Sequence, residues 1–288
     1  MASDVQGYTA EQIRERLSIS TLVFRGYRPI GEGTLEELAR HGVTRIELLE
    51  SPDQFDLSDS RSMALLGQAC RATGVSLGAY HANHTSFTDV DTEPQRVERV
   101  DRCRRQIDTM LELGGRLWGC HAQDAGEVVA KSYGDLLHHI EGTEAVITVE
   151  NFARPGVSVE KRVAYLDRVD HPQVGMILDI GHVRDAEGRN PMTLPGGPTA
   201  VVGQCGHRLR HLHLHGFIDG RDHHPPMAPG DEIQWGELFA ALHRAGYSGD
   251  FNFEPQGDPI HAGALEHTAR APEAIAELAR DYVSGTDA

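Results

Sequence analysis

The sequence predicts a single-domain (β/α)8 barrel, an α/β fold of the TIM type, on three observations. Eight short apolar or β-branched runs alternate with longer segments of helical spacing. Several of those segments end in the same glycine stop signal. The length, 288 residues, suits one barrel of about 250 residues. An open doubly wound sheet is the weaker alternative, because no G-x-G-x-x-G follows the first run and no phosphate-cradling loop occurs. Neither a linker nor a short-period repeat divides the chain, so residues 1–288 are expected to form one domain.

Strands are expected at Ile19–Phe24, Arg45–Leu49, Val75–Tyr80, Leu117–Cys120, Val146–Val149, Val174–Leu178, Leu209–Leu212 and Phe251–Phe253. Helical spacing marks Leu35–His41, Ser60–Thr73, Gln95–Leu113, Val159–Val169, Trp235–Ala245 and Ala264–Val283. The stop signals are His41-Gly42-Val43, Thr73-Gly74-Val75, Leu113-Gly114-Gly115 and Ala245-Gly246-Tyr247, each a glycine free to take the left-handed cap. Arg184–Pro198 and Gly216–Ile233 are expected to be long irregular loops on the C-terminal face, where barrels carry function.

Apolar residues at 39% exclude a disordered chain. The net charge of −16 argues against nucleic acid as the main partner. No apolar stretch approaches the ~18 residues of a membrane span. The opening residues lack a basic segment followed by an apolar one, so no secretory signal is expected. Cys70, Cys103, Cys120 and Cys205 show no CxxC spacing and suit free thiols in a reducing compartment. Together these predict a cytoplasmic protein.

Histidine is abundant, with 17 residues, and it clusters at the ends of apolar runs. The third run ends in Tyr80-His81-Ala82-Asn83-His84 and the fourth in Gly119-Cys120-His121. The fifth ends in Val149-Glu150-Asn151 and the sixth in Leu178-Asp179-Ile180-Gly181-His182. The seventh reads His211-Leu212-His213-Leu214-His215 and the eighth Phe253-Glu254-Pro255. One such group alone is more often a helix cap or a loop residue. Glu is a poor cap and is rarely buried unpaired, which gives Glu150 and Glu254 more weight. In a barrel all six ends converge on one pocket. Buried carboxylates gathered there would repel one another, and a divalent cation would resolve the repulsion. The Arg25–Arg28 loop is expected to be a solvated βα connection or a lid over a small substrate.

The motifs V-E-N, L-D-I-G-H, H-L-H and F-E-P, in this order, resemble the xylose-isomerase-like barrels. That superfamily includes sugar isomerases and epimerases, inosose dehydratases and apurinic endonucleases. The resemblance implies that Glu150, Asp179, His213 and Glu254 hold one divalent metal ion. Three carboxylate ligands suit Mn2+ first, with Mg2+, Co2+ and Zn2+ as alternatives. It implies that Glu150 and Glu254 act as the acid/base pair of a sugar isomerase or epimerase. One takes a proton next to a carbonyl, the other returns it, and the metal stabilises the enediolate. A keto-sugar lyase would use the same logic. His182 resembles a His that contacts substrate and assists catalysis. Further substrate contacts are expected from His81, His121, His215, Arg221 and His224. Arg221 stands out of register with the family's arginine.

A second resemblance points to the trinuclear-zinc endonuclease branch. Asp222-His223-His224 matches its D-x-H pattern, and His81, His121, Glu150, Asp179, His182, His213, Asp222, His224 and Glu254 could fill its nine ligand positions. The acidic balance favours a small sugar or keto-sugar substrate over DNA. A third reading is a binding barrel that serves a partner subunit, and homo-oligomers are common in the family.

Overall fold

The computed structural model describes residues 7–55, 59–82, 90, 92–122, 127–151, 158–256 and 260–286. Its strands are β1 (Leu17–Ser20), β2 (Arg45–Leu49), β3 (Ser76–Ala82), β4 (Leu117–Cys120), β5 (Val146–Glu150), β6 (Val174–Asp179), β7 (Leu209–His213) and β8 (Phe251–Phe253). Its helices are α1 (Ala10–Glu15), α2 (Glu32–Arg40), α3 (Ser60–Thr73), α4 (Glu93–Glu112), α5 (Glu127–His139), α6 (Val159–Val169), α7 (Gly197–Cys205), α8 (Trp235–Arg244) and α9 (Ile260–Thr286).

Every ladder is parallel, and the strands run in sequence order from β1 round to β7, with β8 against β1. The circle closes between β7 and β8 through one bridge, Leu214 with Phe253. Its bonds are Leu214 N to Asn252 O at 2.9 Å and Glu254 N to Leu214 O at 2.8 Å. The predicted single (β/α)8 barrel is the observed fold.

The outer core lies between strands and helices, where Tyr80, Trp118, Phe239, Phe251 and Phe253 are buried with Ile, Leu and Val. Such burial is the dominant favourable term in folding, about 25 cal/mol per Å2 of apolar surface. The lumen is polar instead, with Ser18, Ser20, Glu47, His81, Thr148, His211, His213 and Asn252 all buried. At Gly119 a Cβ would sit 2.5 Å from Ile177 Cδ1, so only glycine lets that side chain cross.

The glycine stops fall where predicted, with Gly42, Gly74, Gly114 and Gly246 at φ between 67° and 86°. The first predicted strand needs correction. Only its start is extended, and Thr21–Phe24 forms a buried 3-10 turn capped by the Ser20 side chain. An apolar run of that length does not distinguish a strand from a buried turn. The Arg184–Pro198 stretch also differs: it contains a 3-10 turn at Pro191–Thr193, and α7 begins at Gly197. Glu237 accepts hydrogen bonds from Gly196 N and Thr199 N at the start of α7, a cap supplied from α8.

Gly216–Ile233 is a long connection pinned at its base. Asp231 accepts hydrogen bonds from Phe217 N (3.0 Å), Ile233 N (3.0 Å) and Trp235 Nε1 (2.8 Å). The four cysteines are free thiols, three of them buried. Among the described residues no helix is long and apolar enough to cross a membrane.

Candidate metal centre

Parallel strands place their C-terminal ends on one face, so the sequence-distant groups meet there. Glu150 and Asp179 end β5 and β6, His213 ends β7, and Glu254 follows β8. Asp179 and His213 are direct register partners. Asn151 locks β5 to β6 by donating to Asp179 O (2.9 Å) and accepting from Asp179 N (2.7 Å). All four predicted ligands are nearly inaccessible to solvent.

His213 is the hub. Its Nδ1 lies 3.3 Å from Glu150 Oε2, 3.1 Å from Glu254 Oε2 and 3.8 Å from Asp179 Oδ2. Glu150, Asp179 and His213 offer donor atoms within 4.8 Å of one another. A second group of the same compactness joins Glu254 and His213 to His81 and Glu47. His81 and His121 add Nε2 atoms at 3.3 and 3.1 Å from Glu150 Oε2.

His182 and the fully buried His215 extend the donor ring. His182 Nδ1 bonds Glu150 Oε1 at 2.7 Å, and its Nε2 faces Asp222 Oδ2 at 3.3 Å. His215 meets Asp179 Oδ1 at 3.1 Å and stacks on His224 at 3.9 Å between ring centroids. Gly181 makes room for this packing, because a Cβ there would stand 2.1 Å from His215 Cε1 and 2.8 Å from Asp222 Oδ1. His182, Asp222 and His224 form a further compact donor group, as do Asp179, His215 and His224.

Arg221 behaves differently. It is exposed in a tight turn whose backbone pairs it with Ile218, and its side chain has no described contact with the ring. Arg28 is tied to Glu37 and lies over Phe24, so it is anchored to α2. His84 and most of the loop through Asp91 lie outside the described residues.

The electrostatics follow from crowding. Burial alone would raise the carboxylate pKa values, but the facing imidazoles reverse the sign. Glu150 is held well below the carboxylate range, chiefly by His121 and His213. Asp179 is held far down, chiefly by His182 and His215. Glu254 is held at about 2, chiefly by His213. Burial disfavours imidazolium at His213, yet Glu254, Glu47 and Glu150 push its pKa well up. Asp179 and then Glu150 push His182 up to about 10.

The carboxylates thus favour imidazolium at His213 and His182, a charge balance that a bound cation could take over by displacing protons. Several buried atoms support that fit. Among the described residues, His213 Nδ1, Asp179 Oδ2, both ring nitrogens of His81 and Asp222 Oδ1 make no well-formed hydrogen bond, although carboxylate oxygens stand close to His213 and His81. Buried polar atoms are nearly always bonded, so a cluster of unbonded ones is compatible with an ion bound among them. Mixed carboxylate and imidazole donors suit a divalent one.

Glu47 and His211 had no place in the sequence-based site. Glu47 sits in mid-β2 rather than at a strand end and reaches His211 Nε2 (2.9 Å), His213 Nε2 (3.1 Å) and Asn252 Nδ2 (3.3 Å). One signal was available: a Glu inside an otherwise apolar run. A second was the period-two spacing of His211, His213 and His215, which puts all three on one face.

Fold and ring together define a polar-lumened (β/α)8 barrel with a metal-type donor set at its C-terminal mouth. The chain belongs to the family described as xylose isomerase-like TIM barrel, which it matches over residues 35–281. It is 20% identical over 229 residues to an inosose dehydratase from Yersinia enterocolitica (serotype O:8 / biotype 1B), covering 67% of this chain and 75% of the relative. Among solved structures it resembles a D-tagatose 3-epimerase-like protein, with a TM-score of 0.71 and 19% identity over 91% of this chain and 98% of the other. A 3-keto-D-glucoside 4-epimerase from E. coli gives a TM-score of 0.69 and 14% identity, over 88% and 97%. A D-psicose 3-epimerase from Clostridium cellulolyticum H10, solved with D-tagatose, gives 0.65 and 16%, over 91% and 97%.

Proposed function

We propose that this protein is a divalent-metal-dependent sugar isomerase or epimerase, or a closely related keto-sugar lyase. One observation carries the reading: Glu150 and Glu254 converge on the same His213 Nδ1, at 3.3 and 3.1 Å. Two carboxylates on either side of one cation position could serve opposite faces of a substrate carbon. Relatives named for sugar epimerisation and inosose dehydration fit the same chemistry.

Glu150, Asp179, His213 and Glu254 would hold the ion, Mn2+ first, with Mg2+, Co2+ or Zn2+ as alternatives. A bound divalent ion would polarise the substrate carbonyl and stabilise the charge that develops on its oxygen. In this reading one of Glu150 and Glu254 takes the proton next to the carbonyl and the other returns it. His182 sits on Glu150 Oε1 and holds that carboxylate in place. His121 and His224 are part-exposed and would meet substrate hydroxyls, whereas the buried His81 lies deeper and the buried His215 has both nitrogens engaged, by Gly216 O and Asp179 Oδ1; Arg221 would reach a substrate only from the rim. The site gathers carboxylates, so a neutral sugar or keto-sugar suits it better than a phosphorylated one.

The test is exchange of solvent deuterium into a panel of ketoses and keto-glycosides by the Mn2+-loaded protein. Exchange is expected for the wild type, with a loss of at least about 100-fold in Glu150→Gln and Glu254→Gln. Full turnover by both variants would overturn the acid/base assignment.

A second reading, a trinuclear-zinc phosphodiesterase of the endonuclease type, is favoured by the two donor groups that flank the central one. They are His81 with His121 and Glu150, and His182 with Asp222 and His224. The net charge of −16 weighs against a nucleic-acid substrate. Three zinc ions per chain with EDTA-sensitive nicking of an abasic duplex would install this reading in place of the first.

A further inference from the structure

We infer that Glu47 is the positioning residue that fixes which nitrogen of His213 faces the metal ring. The inference rests on the reading of His213 as a metal ligand. β2 and β7 are not neighbours: β1 and β8 lie between them round the barrel. Glu47 therefore reaches across the lumen. The β2–β3 ladder shifts register between Ile46 and Glu47, next to the residue concerned.

At the far side Glu47 Oε2 meets Nε2 of both His211 and His213, at 2.9 and 3.1 Å. Its Oε1 accepts from Asn252 Nδ2 at 3.3 Å. The carboxylate is almost fully buried, so its hydrogen bonds do not compete with water. A carboxylate can only accept, so His213 Nε2 carries the proton. When a cation displaces the Nδ1 proton, Nδ1 becomes the lone-pair nitrogen, and Nδ1 is the atom that faces Glu150, Glu254 and Asp179. Metal-binding histidines commonly use a carboxylate on the second nitrogen in this way, and it sets both tautomer and ring orientation.

His211 is shaped by the same carboxylate but does not join the ring. Among the described residues its Nδ1 has no hydrogen-bond partner, and its ring meets Glu47 and the His213 ring. Glu47 thus divides two adjacent inward histidines of β7 into one that supports the floor and one that faces the ion.

The first test needs no variant. In zinc-loaded protein with 15N-labelled histidine, long-range 1H–15N correlation should show His213 protonated at Nε2 and metal-shifted at Nδ1. The reverse assignment overturns the inference. In the second test, zinc affinity of folded Glu47→Gln is compared with wild type by competition with a chelator, with circular dichroism as the fold control. The expected loss is about 10–100-fold, with the number of bound ions unchanged. Affinity within twofold of wild type overturns the positioning role and leaves Glu47 a structural group. Loss of one whole ion with the rest unaffected overturns it too, since Glu47 would then be a ligand. A wild type that binds no zinc, manganese or magnesium overturns the metal reading and this inference together, whereas the other failures spare the metal reading.

Discussion

Two kinds of donor meet at the barrel mouth, and they are held by different means. Glu150, Asp179 and His213 close their strands, and Glu254 follows its own by one residue, so sheet register fixes their spacing. Asp222 and His224 sit in a long loop, where His224 takes a left-handed backbone at φ 49° and rests on the His215 ring. The strand donors are over-determined by ladders and by the Asn151 clasp. The loop donors rest on fewer ties: the His224–His215 stack, hydrogen bonds between His224 and the Glu254–Gln256 segment, the Gly181 gap and the Asp231 pin at the loop base. The difference teaches that the central donor group is set by the fold, whereas Asp222 and His224 of the outer group are set by loop packing.

The largest effect should separate the two sets directly. Asp179→Asn is expected to weaken Mn2+ binding by at least about 100-fold, and Asp222→Asn by less than about tenfold at the tightest ion, measured by calorimetry. Equal losses would break the distinction.

Titration sharpens it next, in metal-free protein. Glu254 is depressed to about 2 from an ordinary 4.5, so its stabilisation is present above 4.5 and is lost as pH falls through about 2. His182, in the connection after β6, is raised to about 10 from 6.5. Its stabilisation is full below 6.5 and is lost as pH rises through about 10. Urea unfolding after EDTA treatment should therefore peak between pH 4.5 and 6.5 and fall on both sides, by at most about 3 kcal/mol on the acid limb and about 5 kcal/mol on the basic one. A flat profile from pH 6.5 to 10 would remove the His182 part.

Gly181→Ala comes third. The added methyl meets the tips of His215 and Asp222, so the cost should be about 1 kcal/mol, with the outer donor group disturbed and the central ion retained. Thermal unfolding and metal counting check both halves. Arg221→Ala should do least, changing stability by under about 0.5 kcal/mol and leaving metal content as in the wild type.

The barrel was legible because its alternation of runs and its glycine stops are local signals. Thr21–Phe24 misled because Thr-Leu-Val-Phe is equally apolar as strand or buried turn. The start of α7 hid behind Gly196, Gly197 and Pro198, and its cap comes from Glu237, 40 residues away in sequence from Gly197. The donors at strand ends could be picked out in the sequence because each follows an apolar run. Glu47 could not, because its partners lie on strands that meet β2 only across the closed lumen. Arg221 shows the converse: a residue type suited to sugar binding stands in a loop whose path the sequence does not dictate.

The seam between β7 and β8 has one further consequence. Only a single bridge spans it, yet His213 and Glu254 lie on its two sides and face a common point. An ion drawn to both would act as a rivet across the weakest join of the cylinder. Deuterium uptake at the amides of Leu214 and Glu254, the two that stitch this seam, would then slow on loading more than uptake at β3–β4. Those two amide protons would then serve as a built-in gauge of occupancy, readable without a substrate.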